Sequence, residues 1–300
     1  TTVASLSPAV TDLILGMGLG NRLVAVSNFE PPRIETDSLP RVGDYQTVDW
    51  EKLNQLRPGM VITQYHPDKI PDGFAERCRR LGIRLFNRKV DSLTDVYSVI
   101  GELGEALDAR EAAAEAQRRW QLTLDEIAAR VAGTLRPRTL LVIGESGLTV
   151  AGPGTFLDNL LTVAGGRNAL SEGGDYVTLD RERLAALDPD VIIQLLPAAS
   201  PQQVLQAKAF WERASSLRAV REGRVVQLFD ADLLLPGFSC LRTAASFAKA
   251  LHGISPEVGT TRASPTSRSR LQFAPPQRFA GIPSRRELAV SPTGSHWSLL

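Results

Sequence analysis

Cysteine, histidine and long apolar stretches are all scarce in this chain, and each shortage narrows what it can be. There are two cysteines in 300 residues, Cys78 and Cys240, one in each half of the sequence. A structural disulfide is therefore not expected, and two buried or half-buried free thiols are. The only histidines are His66, His252 and His296, so a zinc or manganese site built from several imidazoles is not available. No apolar run approaches the roughly 20 residues that span a bilayer. An excess of one charge is missing too: the formal net charge is +1, and residues 255–300 carry six Arg against two Glu. Removing that excess of four leaves about −3 for residues 1–254, which speaks against a nucleic-acid binder.

What remains is an ordinary globular composition, 43% hydrophobic and 22% charged, in a chain long enough for two domains. A motif occurs twice. Residues 48–62 read VDWEKLNQLRPGMVI and residues 179–193 read LDRERLAALDPDVII, aligning without a gap at Asp49/Asp180, Glu51/Glu182, Leu53/Leu184, Leu56/Leu187 and Pro58/Pro189. Each copy predicts an Asp-capped amphipathic helix, a Pro that ends it, and a β-branched strand. Upstream, Ser7-Pro8 and Gly152-Pro153 each open an apolar helical run that closes on glycines. Two similar halves are implied.

Strand-like runs at Val3–Leu6, Leu23–Ser27, Met60–Gln64 and Leu85–Arg88 alternate with helical ones, and the scheme returns after Leu140. This is the pattern of βαβ units with parallel sheets, an α/β fold of two Rossmann-like lobes. Between the lobes, residues 93–134 hold no Pro and place apolar residues at helical spacing from Val96 to Val131, with a break expected at Asp108. A long rigid helix between the lobes is expected there. The division is an N-terminal lobe over 1–92, a helical connection over 93–135, a C-terminal lobe over 136–254, and a disordered tail over 255–300 that is rich in Ser, Pro and Arg. The chain opens on Thr1 and enters a strand almost at once, which leads to the expectation that a targeting segment has been removed or omitted.

In open parallel sheets the ligand lies beyond the carboxyl ends of the strands. The loops there contain Ser7, Asn28–Pro32, Asp44–Gln46, Gln64–His66 and Asn87–Arg88 in the first lobe. In the second they contain Glu145–Gly147, Tyr176, Leu196–Ala198 and Asp230–Phe238. Aromatic residues outnumber ionisable pairs, so the cleft suits a large, partly apolar ligand better than acid–base chemistry. Tyr45, Tyr65, Tyr176 and Phe238 are candidates for a stacking cradle. Arg88 stands at a strand end where it can meet an anionic group, whereas Arg33 and Arg41 are expected to be solvated. Trp50, Trp120 and Trp211 fall within helices and belong to packing. Gly16-Met17-Gly18-Leu19-Gly20 follows a helix and reads as a C-cap instead of a phosphate loop. Gly144-Glu145-Ser146-Gly147 lacks a histidine partner for a nucleophile turn.

The opening VASLSPAVTDLILGMGLGNRLVAVSNF, then PRVGDYQTVDWEKLNQLRPGMVI, the GIRLF strand and the connecting helix together resemble a family. It is that of the solute-binding proteins of bacterial ABC importers for cobalamin, haem and iron-siderophore complexes. The resemblance covers residues 3–252. It implies a receptor whose interlobe cleft grips a metal chelate edge-on, with no catalysis and no intrinsic cofactor, working as a monomer with a permease and its ATPase. It implies an extracytoplasmic location, in the periplasm or on a lipid anchor. By position, Tyr45 falls on the cleft aromatic and Gln64, Tyr65 and His66 on ligand contacts, with His66 or Tyr65 placed to reach the metal axially. Asp72, with Glu76 beside it, corresponds to the first-lobe acid that docks on the permease. The second-lobe stretch Ser200-Pro201-Gln202-Gln203 has no acid, leaving Glu212 as the nearest. Few clustered arginines in the cleft favour a corrinoid, with haem or an iron-siderophore next. The competing expectation is a two-lobed α/β enzyme, a metal- or nucleotide-dependent transferase with its site in the same cleft, which requires a phosphate loop or paired cysteines.

Overall fold

Short β-branched runs separated by capped helices build the first sheet. In a computed structural model, which describes residues 1–145 and 148–256, the chain opens with β1 (Val3–Ser5), α1 (Pro8–Gly16) and β2 (Leu23–Ala25). It continues through α2 (Trp50–Leu56), β3 (Met60–Thr63), α3 (Phe74–Arg80) and β4 (Arg84–Asn87). The four strands are parallel in the order β2-β1-β3-β4. Two helices follow, α4 (Leu93–Ala106) and α5 (Arg110–Arg130).

The second lobe comprises β5 (Arg138–Ile143), β6 (Thr149–Ala151), α6 (Phe156–Val163), β7 (Arg167–Asn168), β8 (Tyr176–Thr178) and α7 (Arg181–Leu187). It ends with β9 (Val191–Leu195), α8 (Pro201–Glu212), α9 (Arg218–Arg221), β10 (Val225–Leu228) and α10 (Cys240–His252). Its sheet runs β10-β9-β5-β6-β8, with β7 beside β5. The first three strands are parallel, as expected, but β6 is antiparallel to both β5 and β8. Ile143 pairs with Thr149, and so short a connection can only reverse the chain, since a parallel return needs a dozen residues or more.

The repeated motif folds alike in both lobes. Asp49 accepts from the Lys52 N–H (2.9 Å) and Asp180 from the Arg183 N–H (2.7 Å), each capping its helix. Arg57 and Asp188 end the helices in the left-handed region, with φ of 47° and 35°. The strands that follow, β3 and β9, are wholly buried. The Gly16–Gly20 stretch is the helix terminus expected, with Gly18 at φ 74°.

The connection between the lobes is a helical hairpin. Asp108, at φ 51°, breaks it where the sequence indicates, and α5 folds back along α4 so that Gln117 donates to the Tyr97 carbonyl (2.8 Å). Gly104 lets the helices close, because a Cβ there would overlap that of Ala113. The 21 residues of α5 make a rod of about 31 Å. Its apolar stripe, Ala113, Ala116, Trp120, Leu124 and Ile127, enters a core that also contains Leu13 and Ile62 of the first lobe and Leu160 and Phe247 of the second. One continuous apolar core therefore joins the lobes. Each lobe also has its own core on the far side of its sheet, around Leu53 and Val61 in the first and around Ile192 and Trp211 in the second. Among the described residues no helix is long and apolar enough to cross a membrane. The expected disordered tail lies, from residue 257 onward, outside the described residues.

Candidate functional site

The first lobe presents its strand ends through a set of side-chain ties. Ser7 is buried and caps α1 by accepting from the Val10 N–H (3.2 Å), while its hydroxyl donates to Gln64 Oε1 (2.5 Å). Ser7 thus aims Gln64 from behind. Asn87, at the end of β4, accepts from the Tyr65 N–H (2.8 Å) and donates to the Tyr65 carbonyl (3.0 Å), which fixes the exit of β3. Asp44 holds the turn that carries Tyr45. Burial opposes its ionisation, but the N–H groups of Thr47 and Gln46 and the Asn28 amide outweigh that and keep its carboxyl below the usual range.

Half-buried Tyr45 lies beside Phe29, with ring centroids 6.1 Å apart. Phe29 is 51% exposed; it lies in the Asn28–Pro32 loop expected at the cleft but was not among the aromatics expected to form the cradle. Its position in the loop after β2, in the run Asn28-Phe29-Glu30, was the signal available.

Tyr65 does not suit the axial-ligand role. Its hydroxyl donates to the Tyr45 carbonyl (2.9 Å) and its ring packs edge-on against Phe74 (5.7 Å). Burial and then the charge of Asp44 raise its pKa, so the phenol stays protonated where a ligating phenolate would be required. His66 is exposed and caps the short turn 67–69, its Nδ1 accepting from the Asp68 N–H (3.3 Å), which puts the ring proton on Nε2. For Nε2 to bind a metal the proton must move to Nδ1, where the Asp68 carboxylate at 3.5 Å can receive it.

In the second lobe, Tyr176 is 39% exposed and opens the edge strand β8 opposite Ala151, below the carboxyl edge of the sheet where a loop residue was expected. Its phenol is pushed up to about 12 by burial, then by Asp175 and by Asp91 of the β4–α4 connection, so it still lies where the lobes meet. Phe238 is not a cleft residue. It is 8% exposed, fills the space beside Gly16, and carries the Arg119 guanidinium over its ring (5.3 Å to centroid). The exposed aromatic of that region is Phe229, at the end of β10 and 44% exposed. Gln203 donates to Glu145 (3.0 Å) and holds its carboxylate low. Ser146 and Gly147 lie outside the described residues.

The arginines are placed differently from expectation. Arg33 is not solvated: its side chain is 12% exposed and pairs with Asp12 of α1 (2.5 Å), Asp232 of the second lobe (2.8 Å) and Glu30 (3.3 Å). Arg41 donates to the Ser27 and Glu30 carbonyls (3.0 and 3.3 Å). Charges distant in sequence attract in a partly dry site, and local pattern carries no trace of that. Arg88, expected to meet the ligand, pairs instead with Glu102 of α4 (3.1 Å). Among the expected docking acids, Asp72 and Glu212 are exposed, whereas Glu76 is engaged by Arg79 and by Arg80 (3.7 Å). Asp72 lines a hollow of about 140 Å³ together with Trp50, Tyr65 and Phe74.

Residues 3–231 match the family model described as periplasmic binding protein, and the chain belongs to that family. It is the substrate-binding component of an ABC importer. It is 25% identical over 210 residues to a vitamin B12-binding protein of Yersinia pseudotuberculosis, covering 70% of this chain and 73% of that one. A periplasmic haem-binding protein of Pseudomonas aeruginosa superposes with a TM-score of 0.71 at 25% identity, over 88% of this chain and 99% of its own. The periplasmic vitamin B12-binding protein of Vibrio cholerae shares the fold, with a TM-score of 0.68 at 23% identity over 83% and 96% of the two chains. The enzyme alternative finds no support: Cys78 and Cys240 are free, buried in different cores, and burial pushes both thiols up, away from the thiolate that nucleophiles and metal ligands need.

Proposed function

We propose that the chain captures a flat metal chelate between its lobes, a cobalamin-like corrinoid first and haem or an iron-siderophore next, and hands it to the permease. One observation carries this reading. Of the four exposed aromatic side chains among the described residues, Phe29, Tyr97, Tyr176 and Phe229, three lie in the strand-end loops or at the lobe boundary. Exposed rings grouped in that way mark a binding surface for an apolar face. Relatives that bind vitamin B12 and haem support the same ligand class. Arg33, Arg41 and Arg88 are all engaged by the protein, which favours a ligand with little anionic charge and hence the corrinoid.

In this reading Gln64 and Tyr45 join Phe29 on the first lobe, and His66 supplies an axial nitrogen if the metal is open. Asp72 and Glu212 are the exposed acids that meet the permease, one on each lobe of a monomer divided at about residues 92 and 136. The protein works outside the cytoplasm, in the periplasm or on a lipid anchor. Titrating the apoprotein separately with cyanocobalamin, haemin and a ferric siderophore tests the ligand class. At a hundredfold excess over Kd the bound form gains about 2.7 kcal/mol, a rise in Tm of roughly 5–10 °C. No response to any of the three overturns the proposal.

A further inference from the structure

A chain of charges, buried at Asp12 and Glu30 and opening to solvent at Arg242, crosses the boundary between the lobes on the side of Phe29. Arg33 reaches Asp12 and Asp232, the Ser239 N–H and hydroxyl both donate to Asp12 (2.7 Å each), and Arg242 donates to Asp232 (2.6 Å). Gly237 permits this approach, since a Cβ there would collide with the Asp12 carboxylate. We propose that Arg33 is a positioning residue for ligand capture, latching the 27–37 loop and with it Phe29 to the second lobe, and that the buried Glu30 carboxyl sets the strength of the latch.

The charge count motivates the second part. Asp12, Glu30 and Asp232 all pair with the one Arg33 guanidinium, so three carboxyls share a single positive charge. Glu30 is the most deeply buried of the three and the one held through Nε alone. Its side chain is fully buried, and neither of its oxygens makes a hydrogen bond of normal geometry, although Arg33 Nε lies 3.3 Å away. The groups around it are Arg33 and Arg41 of its own segment and Asp12 and Thr11 of α1. A neutral Glu30 leaves the Arg33 fork to Asp12 and Asp232. An ionised Glu30 draws on the same guanidinium and adds a further negative charge to a dry site, which loosens the hold on Asp232. Burial pushes its pKa up to about 7, so the change falls near neutrality.

The proposal uses the chelate reading only to name the ligand, so its test starts from the apoprotein. Amide exchange of segments 27–37 and 230–239 is followed at about pH 6 and about pH 8, corrected for intrinsic rates. The expected result is a loss of protection of roughly tenfold at the higher pH, absent in Glu30→Gln and present at both pH values in Arg33→Lys, which keeps the charge without the fork. Cobalamin or haem affinity should fall in parallel in the unaltered protein and stay level in Glu30→Gln. Protection that is equal at both pH values, or a Glu30→Gln profile that follows the unaltered protein, overturns the latch. Failure of every chelate to bind, with exchange as expected, removes the ligand reading and leaves the latch standing.

Discussion

Phe238 of the second lobe occupies the space that Gly16 of the first leaves by having no side chain. A Cβ on residue 16 would overlap the ring, and the ring cannot retreat freely because the Arg119 guanidinium stacks over it while donating to the Gly16 carbonyl. Gly16 is the last residue of α1 and is helical, so Gly16→Ala should gain about 1 kcal/mol from helix propensity alone. Overpacking reverses the sign. We expect Gly16→Ala to destabilise by about 1–2 kcal/mol net, read from urea denaturation midpoints. A stabilised variant would show that the ring is free to move.

Asp12 is the hub of the lobe contact, since Arg33 and two donors of Ser239 converge on a carboxylate that is almost wholly buried. Removing one partner strands the other charge. Asp12→Ala should cost about 3–5 kcal/mol, and Asp12→Asn less, because the amide oxygen still accepts from Ser239. Equilibrium unfolding of both variants checks the order, and equal losses would argue against a charge effect.

The stability of the protein should fall with rising pH in a range where carboxylates ordinarily add to it. Glu30 has a folded pKa of about 7 against an ordinary value of 4.5, so between these the folded state holds a proton that the unfolded state has released. Stability is then lost progressively from about pH 4.5 to about pH 7 and levels off above, with an upper bound of about 3.5 kcal/mol. Glu30→Gln keeps the shape of the neutral carboxyl. Its Tm should match the unaltered protein near pH 5 and exceed it near pH 8.

If a haem or an open corrinoid is bound, the metal spectrum separates the two candidate ligands. His66→Ala should shift the visible bands, whereas Tyr65→Phe should leave them in place. The Tyr65 hydroxyl is spent on the Tyr45 carbonyl, so its removal should appear as a loss of about 1 kcal/mol in stability. A spectral change in Tyr65→Phe alone would return the axial role to the phenol.

The duplicated motif shows how much was legible in advance. Asp49 and Asp180 cap, Pro58 and Pro189 stop, and β3 and β9 follow, because caps, breakers and period-two patterns act over a few neighbouring residues. The break at Asp108 was legible on the same grounds. The antiparallel β6 was not, since its three residues carry too little pattern to show a direction. Phe238 and Arg33 mark the deeper limit. Each sits in a loop whose position suggested the cleft or the solvent, and each is claimed by a partner from another part of the chain.

Local chemistry thus settled that the chain forms two α/β halves and where their strands end. Which side chains are left at the strand ends was decided by packing across the lobes, where Gly16 admits a ring and Asp12 and Asp232 converge on one guanidinium. Burial strengthens charge pairs and penalises voids over distances that have no counterpart in sequence separation. The same physics that drew Phe238 and Arg33 inward left Phe29 and Phe229 at the surface.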